Sequence, residues 1–242
     1  MAQNDQLIFD LFQMYKQRCS EVSRYIDFIM TLTNHRNCLL CDRISDGQLV
    51  PIEPIVISRE LTKTLRANTY LLLYNLVEST MTSAIDTIHL AIESDRLAFN
   101  RLSNELKNVT LSHFKRAIKD SHNCVHEHQH PIEVAIVKLG YNKKNLFSGN
   151  VDTKEIKNIA QRYGFTTPDP NRKGRDIASK LKDVRDKRNG LAHGRISFEA
   201  CGEETATDYL ELTAHQTTVY LRAVLWSISS YLRNRTYCTP HE

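Results

Sequence analysis

The chain has 242 residues, 41% apolar and 25% charged, the proportions of a soluble globular protein with enough length to bury a substantial core in one domain. No apolar run approaches the ~20 residues that span a bilayer, and the polar Met1-Ala2-Gln3-Asn4-Asp5 is no signal peptide, so a cytoplasmic protein is expected, its six cysteines reduced thiols. The formal net charge of +4 hides an asymmetry: fifteen Lys and Arg face six Asp and Glu between Lys138 and Arg195, a net +9 that leaves −5 for the remainder. A polyanion is the natural partner of such a region, because every phosphate it neutralises releases condensed counterions, and nucleic acid is the polyanion expected.

Only eight Gly and six Pro argue for long helices. The first spans Leu7 to Leu32, with Ile8, Phe12, Tyr15, Cys19, Val22, Ile26 and Ile29 on one face. Asp46-Gly47 marks a turn, and Pro51 and Pro54 keep the connection to Ile57 extended or irregular. A long helix follows from about Ser58 to about Glu93, and the stretch Asp95 to Asp120 reads as helical, with Leu102, Leu106, Val109 and Phe114 as its apolar points. Residues 121–150 are the least regular and read as an insertion or exposed excursion. Asp152 with Glu155 forms a capping box for a short helix that buries Ile156, Ile159, Ala160 and Tyr163 and stops at Gly164. Pro168 and Pro170 hold a linker open before the next helix, and a final helix buries Leu221, Val224, Leu225, Ile228, Tyr231 and Leu232, with Trp226 and Tyr220 also assigned to the core. The architecture predicted is all-α, a single helical bundle over residues 1–242.

Two helices carry a charge where a core residue belongs. Ile177, Leu181, Val184, Arg188 and Leu191 step by four, three, four and three, one apolar helical face with an arginine in it. Along the earlier helix Tyr74, Glu78, Met81, Ile85, Ile88 and Ile92 keep the same rhythm, apolar except at Glu78. An unpartnered buried guanidinium costs several kcal/mol, so the chain tolerates it where a carboxylate, a partner subunit or an anionic ligand meets it. One base and one acid so placed invite pairing, and a plain interhelical salt bridge accounts for them as well as a catalytic site does.

Downstream of the arginine the sequence reads Asn189, then Gly190-Leu191-Ala192, then His193. Arg116 with His122 and Arg235 with His241 satisfy a looser form of the spacing, but only Arg188 combines an apolar helical face, an adjacent Asn and a basic surround. Together with Tyr70-Leu71-Leu72-Leu73-Tyr74-Asn75-Leu76-Val77-Glu78-Ser79, this motif resembles the HEPN superfamily, all-α domains many of which are ribonucleases marked by Arg, a polar residue, a few others and His. The flanks Ile159 to Phe165 and Leu191-Ala192-His193-Gly194 with Ser197-Phe198 resemble a prokaryotic branch found in toxin–antitoxin and phage-defence settings. The resemblance covers most of Tyr70 to Tyr237.

The resemblance implies a metal-independent endoribonuclease without a cofactor, acting as a two-fold homodimer with RNA as substrate and a cognate antitoxin or defence-system protein as a further partner. His193 would move a proton at the ribose 2′-hydroxyl or the departing 5′-oxygen, Arg188 would grip the scissile phosphate, Asn189 would orient phosphate or side chains, and Glu78 would hold Arg188. Arg185, Lys187 and Arg195, with Arg172, Lys173 and Arg175 of the linker, are the candidate RNA contacts. Five residues at about 100° each set His193 roughly 140° round the axis from Arg188 on an unbroken helix, so either the helix distorts or ends near Gly190, or the pair converges through two-fold symmetry. Some HEPN toxins carry a tyrosine two residues after the histidine that a nucleotidyltransferase antitoxin modifies; Arg195 stands there, so that mode of inactivation does not carry over. The alternative function is a non-catalytic HEPN module that binds RNA, a nucleotide or a partner protein.

A zinc-dependent enzyme is the remaining rival. His122, Cys124, His126, His128 and His130 cluster, and Cys38 and Cys41 have the gap of zinc ligands, but structural zinc takes two such pairs. The cluster therefore reads as an exposed polar loop, Cys38 and Cys41 as buried thiols, and no metal is expected. Tyr141 or Phe147, beside Lys143 and Lys144, would be the candidates for stacking on a base.

Overall fold

The computed structural model describes residues 2–35, 42–43, 49–50, 57–120, 147, 150–172 and 175–239, with side chains at 3–35, 57–113, 147, 150–172 and 175–239. In chain order these form α1 (Ala2–Asn34), β1 (Asp42–Arg43), β2 (Leu49–Val50), α2 (Arg59–Ser94), a 3-10 turn at Phe99–Arg101, α3 (Asn104–Asp120), α4 (Thr153–Tyr163), α5 (Ile177–Ala192), α6 (Phe198–Glu203) and α7 (Thr207–Arg233). The fold is all-α but for the antiparallel pair that sets Asp42 opposite Val50 and Arg43 opposite Leu49. Two-residue strands are too short to show the alternation that marks a strand in sequence, which is why only the Asp46-Gly47 turn was legible there. Most of the excursion at 121–150, with His122 to His130 and the Tyr141 and Lys143 stretch, lies outside the described residues, as do Cys38 and Cys41.

A helix apolar on more than one face is stable only when several other elements pack on it. α2 is such a helix: Ala67, Tyr70, Leu73, Leu76, Val77, Met81, Ala84, Ile85 and Ile88 are all buried, and α1, α5, α6 and α7 pack around it. The stripe from Tyr74 to Ile92 was only one side of that burial. Ser58 caps its start, the hydroxyl accepting from Leu61 N–H at 3.1 Å.

The other elements close on this axis largely as their spacing predicts. α1 begins earlier than Leu7 and buries Ile8, Tyr15, Val22, Ile26 and Ile29, while Leu11 and Leu32 join them and Phe12 and Cys19 stay partly exposed. Asp152 caps α4 by accepting from Glu155 N–H at 2.9 Å, and Ile156, Ile159, Ala160 and Tyr163 are buried. Both chain ends reach the end of α2: the Tyr237 hydroxyl donates to Asp95 at 2.6 Å and accepts from Asn4 at 2.9 Å. Trp226 is a correction. It is 57% exposed, because α7 turns Leu221, Val224, Leu225 and Ile228 inward and leaves Trp226 on the outer flank, its ring 5.1 Å from that of Phe12.

α6 crosses α2 at backbone contact. A Cβ at Gly202 would stand 1.9 Å from the Lys63 carbonyl oxygen, so no larger residue fits without moving a helix. Gly202→Ala should cost at least about 2 kcal/mol in urea unfolding, at the upper end of overpacking penalties, with an unchanged m-value.

Between α2 and α4, the His89 ring meets Tyr163 edge-on with 2.9 Å from Nε2 to the phenolic oxygen, and His113 of α3 stacks at 6.3 Å. Burial, with His113 adding to it, pushes the His89 imidazole down from 6.5 to about 3. The unfolded chain takes up a proton there below 6.5 that the folded chain refuses until about 3, so stability falls as pH drops through that window. Between about pH 7 and about pH 4.5 the thermal midpoint of the native protein should fall further than that of His89→Gln, read by circular dichroism.

Candidate functional site

α5 starts at Asp176, whose carboxylate accepts from Ser179 N–H at 3.2 Å, and seats Ile177, Leu181, Val184 and Leu191 in the core. Its polar contacts with α2 come in two rungs. Asp183 accepts from the Tyr70 hydroxyl at 3.4 Å, and from Tyr209 of α7 at 3.1 Å. At the next rung Arg188 lays its guanidinium over the Tyr74 ring, Cζ 4.3 Å from the centroid, a cation–π contact in place of an apolar one.

Around that contact runs a closed circuit. Arg188 Nη1 donates to Asn189 Oδ1 at 2.8 Å, Asn189 Nδ2 donates to Asn150 Oδ1 at 3.0 Å, and the N–H of the following residue, Val151, donates to the Tyr74 hydroxyl at 3.2 Å. The Tyr74 hydroxyl in turn donates to Glu78 Oε1 at 3.3 Å. Burial pushes the Tyr74 phenol up, which keeps it a neutral donor to the carboxylate. Arg188 and Glu78 are half-buried, where the apolar stripes had implied full burial. They sit at the edge of the α2–α5 seam, where the crossing element is the segment Asn150–Asp152 and not another helix. Tyr74 joins the acid to the base, its hydroxyl on Glu78 and its ring under Arg188.

His193 caps the C-terminus of α5 and is exposed, its N–H bonded to the Asn189 carbonyl at 3.1 Å. The helix ends at Ala192, two residues past Gly190, as one of the expected alternatives had it, and His193 stands at its C-cap with φ −99° and ψ 8°, off the helical path. Turning the chain there uses both glycines of the stretch. Gly194 takes φ 65°, a left-handed conformation, and Ile196 folds back so closely that a Cβ at Gly190 would lie 2.9 Å from its Cγ2.

The basic residues divide into two groups. Arg185 is ion-paired with Asp152 and, at 2.7 Å, with Asp186; Lys187 is bonded to Glu204 at 2.7 Å, which raises its pKa. Arg172, Arg175 and Arg195 are exposed, and Lys173 lies outside the described residues. Among the described residues no three His, Cys, Asp or Glu side chains gather as metal ligands. Sequence reasoning missed Tyr74 as anything but a core position, and it missed Asn150 and Val151 entirely. The available signal was Tyr74 one turn before Glu78 on one face.

An all-α bundle with an Arg-Asn pair on α5, at its seam with the central helix α2, and a histidine at the C-terminal end of α5 has the layout of a HEPN domain. A model of the HEPN_MAE_28990-like HEPN family matches residues 9–237, and the chain belongs to that family. No curated protein and no solved structure matches the chain. No helix among the described residues is long and apolar enough to cross a membrane.

Asp152 holds two structures at once, the first turn of α4 and the Arg185 guanidinium. Asp152→Asn keeps the cap and weakens the ion pair, whereas Asp152→Ala loses both, so the alanine variant should be less stable by about a further 1 kcal/mol in denaturant titration.

Proposed function

We propose that the protein is a metal-independent endoribonuclease acting as a two-fold homodimer, the toxin or effector of a prokaryotic toxin–antitoxin or phage-defence pair. The observation that carries this reading is the pairing of a fixed, half-buried Arg188 with an exposed His193 on one helix of a HEPN-family chain. The ribose 2′-hydroxyl attacks the adjacent phosphorus and expels the 5′-oxygen, leaving a 2′,3′-cyclic phosphate and a 5′-hydroxyl. One imidazole accepts the 2′-hydroxyl proton and another protonates the leaving oxygen, roles that the two His193 copies of a dimer fill. Arg188 holds the phosphate and offsets the charge that builds on it, Asn189 orients the guanidinium, and Glu78 acts on it through Tyr74. Exposed Arg172, Arg175 and Arg195 supply phosphate contacts that carry no base preference. A two-fold arrangement would bring the two exposed His193 side chains, at the ends of the two α5 helices, to one shared cleft.

The test is incubation of the purified protein with a mixed RNA pool in EDTA, alongside Arg188→Ala and His193→Ala. Cleavage is expected from the native protein alone, falling at least about a hundredfold in either variant, with cyclic phosphate ends. Cleavage lost to the chelator, or retained in both variants, overturns the proposal; RNA bound but uncut by the native protein assigns it to the binding modules of the family.

A further inference from the structure

We propose that Tyr74 is the positioning residue of the motif arginine, and that it couples Arg188 to the chain segment returning at Asn150–Asp152. The inference rests on the ribonuclease reading of the site, and adds to it a residue from α2 and a segment from outside the motif.

A guanidinium has many rotamers, and its hold on a phosphate depends on which plane it occupies. Two contacts constrain that plane here. The Tyr74 ring lies beneath it at 4.3 Å, and Asn189 takes one Nη1 proton at 2.8 Å. Each constraint is itself anchored. The ring is buried in the α2 core, and its hydroxyl uses both of its bonding directions, accepting from Val151 N–H and donating to Glu78. The Asn189 side chain is held in turn by Asn150. Adjacent residues of one segment thus support the ring from one side and the asparagine from the other. Asp152, next in the chain, fastens that segment to Arg185, one turn before the motif. A displacement of Asn150–Asp152 would therefore move these two supports of Arg188 together, along with the Arg185 ion pair. This separates Tyr74 from a packing residue: a core tyrosine contributes volume, whereas this one contributes a face and a doubly bonded hydroxyl at the place where the arginine plane is set.

The test compares Tyr74→Phe, Tyr74→Leu and Asn150→Ala with the native protein by cleavage kinetics and by the side-chain Nε–Hε resonance of Arg188 in 15N NMR, assigned with Arg188→Lys. Tyr74→Phe retains the ring and removes both hydroxyl bonds, so kcat should fall about tenfold with KM within about twofold; Tyr74→Leu removes the ring and should lower kcat about a hundredfold. In both, and in Asn150→Ala, the Arg188 resonance should move or broaden while the thermal midpoint of Tyr74→Phe stays within about 3 °C. An unmoved Arg188 resonance in Tyr74→Leu overturns the proposal, as does an unchanged kcat in a folded Tyr74→Leu enzyme. If the native protein cleaves no RNA, the ribonuclease reading falls and the resonance alone decides the role of Tyr74: shifted supports it, unshifted ends it.

Discussion

Burial of most of α2 beneath α1, α5, α6 and α7 is the constraint from which the rest of the molecule follows. Burying a phenolic hydroxyl costs free energy unless it is hydrogen-bonded, and each tyrosine on α2 ends in a named partner. The Tyr70 hydroxyl reaches Asp183 and Thr205; the Tyr74 hydroxyl reaches Val151 and Glu78. The Tyr70–Asp183 bond ties α5 to α2 one rung from the place where Arg188 lies over the Tyr74 ring.

Charge in this fold does two kinds of work. Arg185, Lys187, Lys63 and Arg59 are spent on Asp152, Asp186, Glu203 and Glu204, and they tie α4, α5 and α6 to the frame. Arg172, Arg175 and Arg195 stay at the surface, within reach of a polyanion. The net positive count between Lys138 and Arg195 thus overstates the cation available for binding, since ion-paired side chains release fewer counterions when a phosphate arrives. Arg188 stands apart from both groups, half-buried and held by a ring face and an amide at the edge of the core.

The motif spacing Arg-Asn-x-x-x-His follows from this geometry. Arg188 lies over Tyr74 of α2, His193 stands at the C-cap where α5 ends, and Gly190 with Gly194 allows the chain to reverse directly behind it. A residue with a side chain at 190 would push Ile196 outward and with it the turn that presents His193 and Arg195. Stability and presentation of the site are in this way set by the same two glycines.

Much of the molecule was legible in the residues themselves, because it depends on local rules. Helix starts at Ser58 and Asp152, the stop at Gly164 and the buried faces of α4 and α7 follow from capping chemistry and from a period of 3.6, which neighbouring residues alone decide. The Arg188, Asn189 and His193 motif was legible for the same reason, as an arginine in an apolar stripe. What only the tertiary structure decided is what touches what. Tyr74 meeting Arg188, and Asn150 meeting Asn189, join residues far apart in the chain, and no local periodicity carries that information. Trp226 shows the same limit from the other side: its spacing allowed a core position, and the placement of α1 beside α7 left it at the surface against Phe12. Periodicity says which face of a helix is apolar, and only the packing of helices says which part of that face is covered.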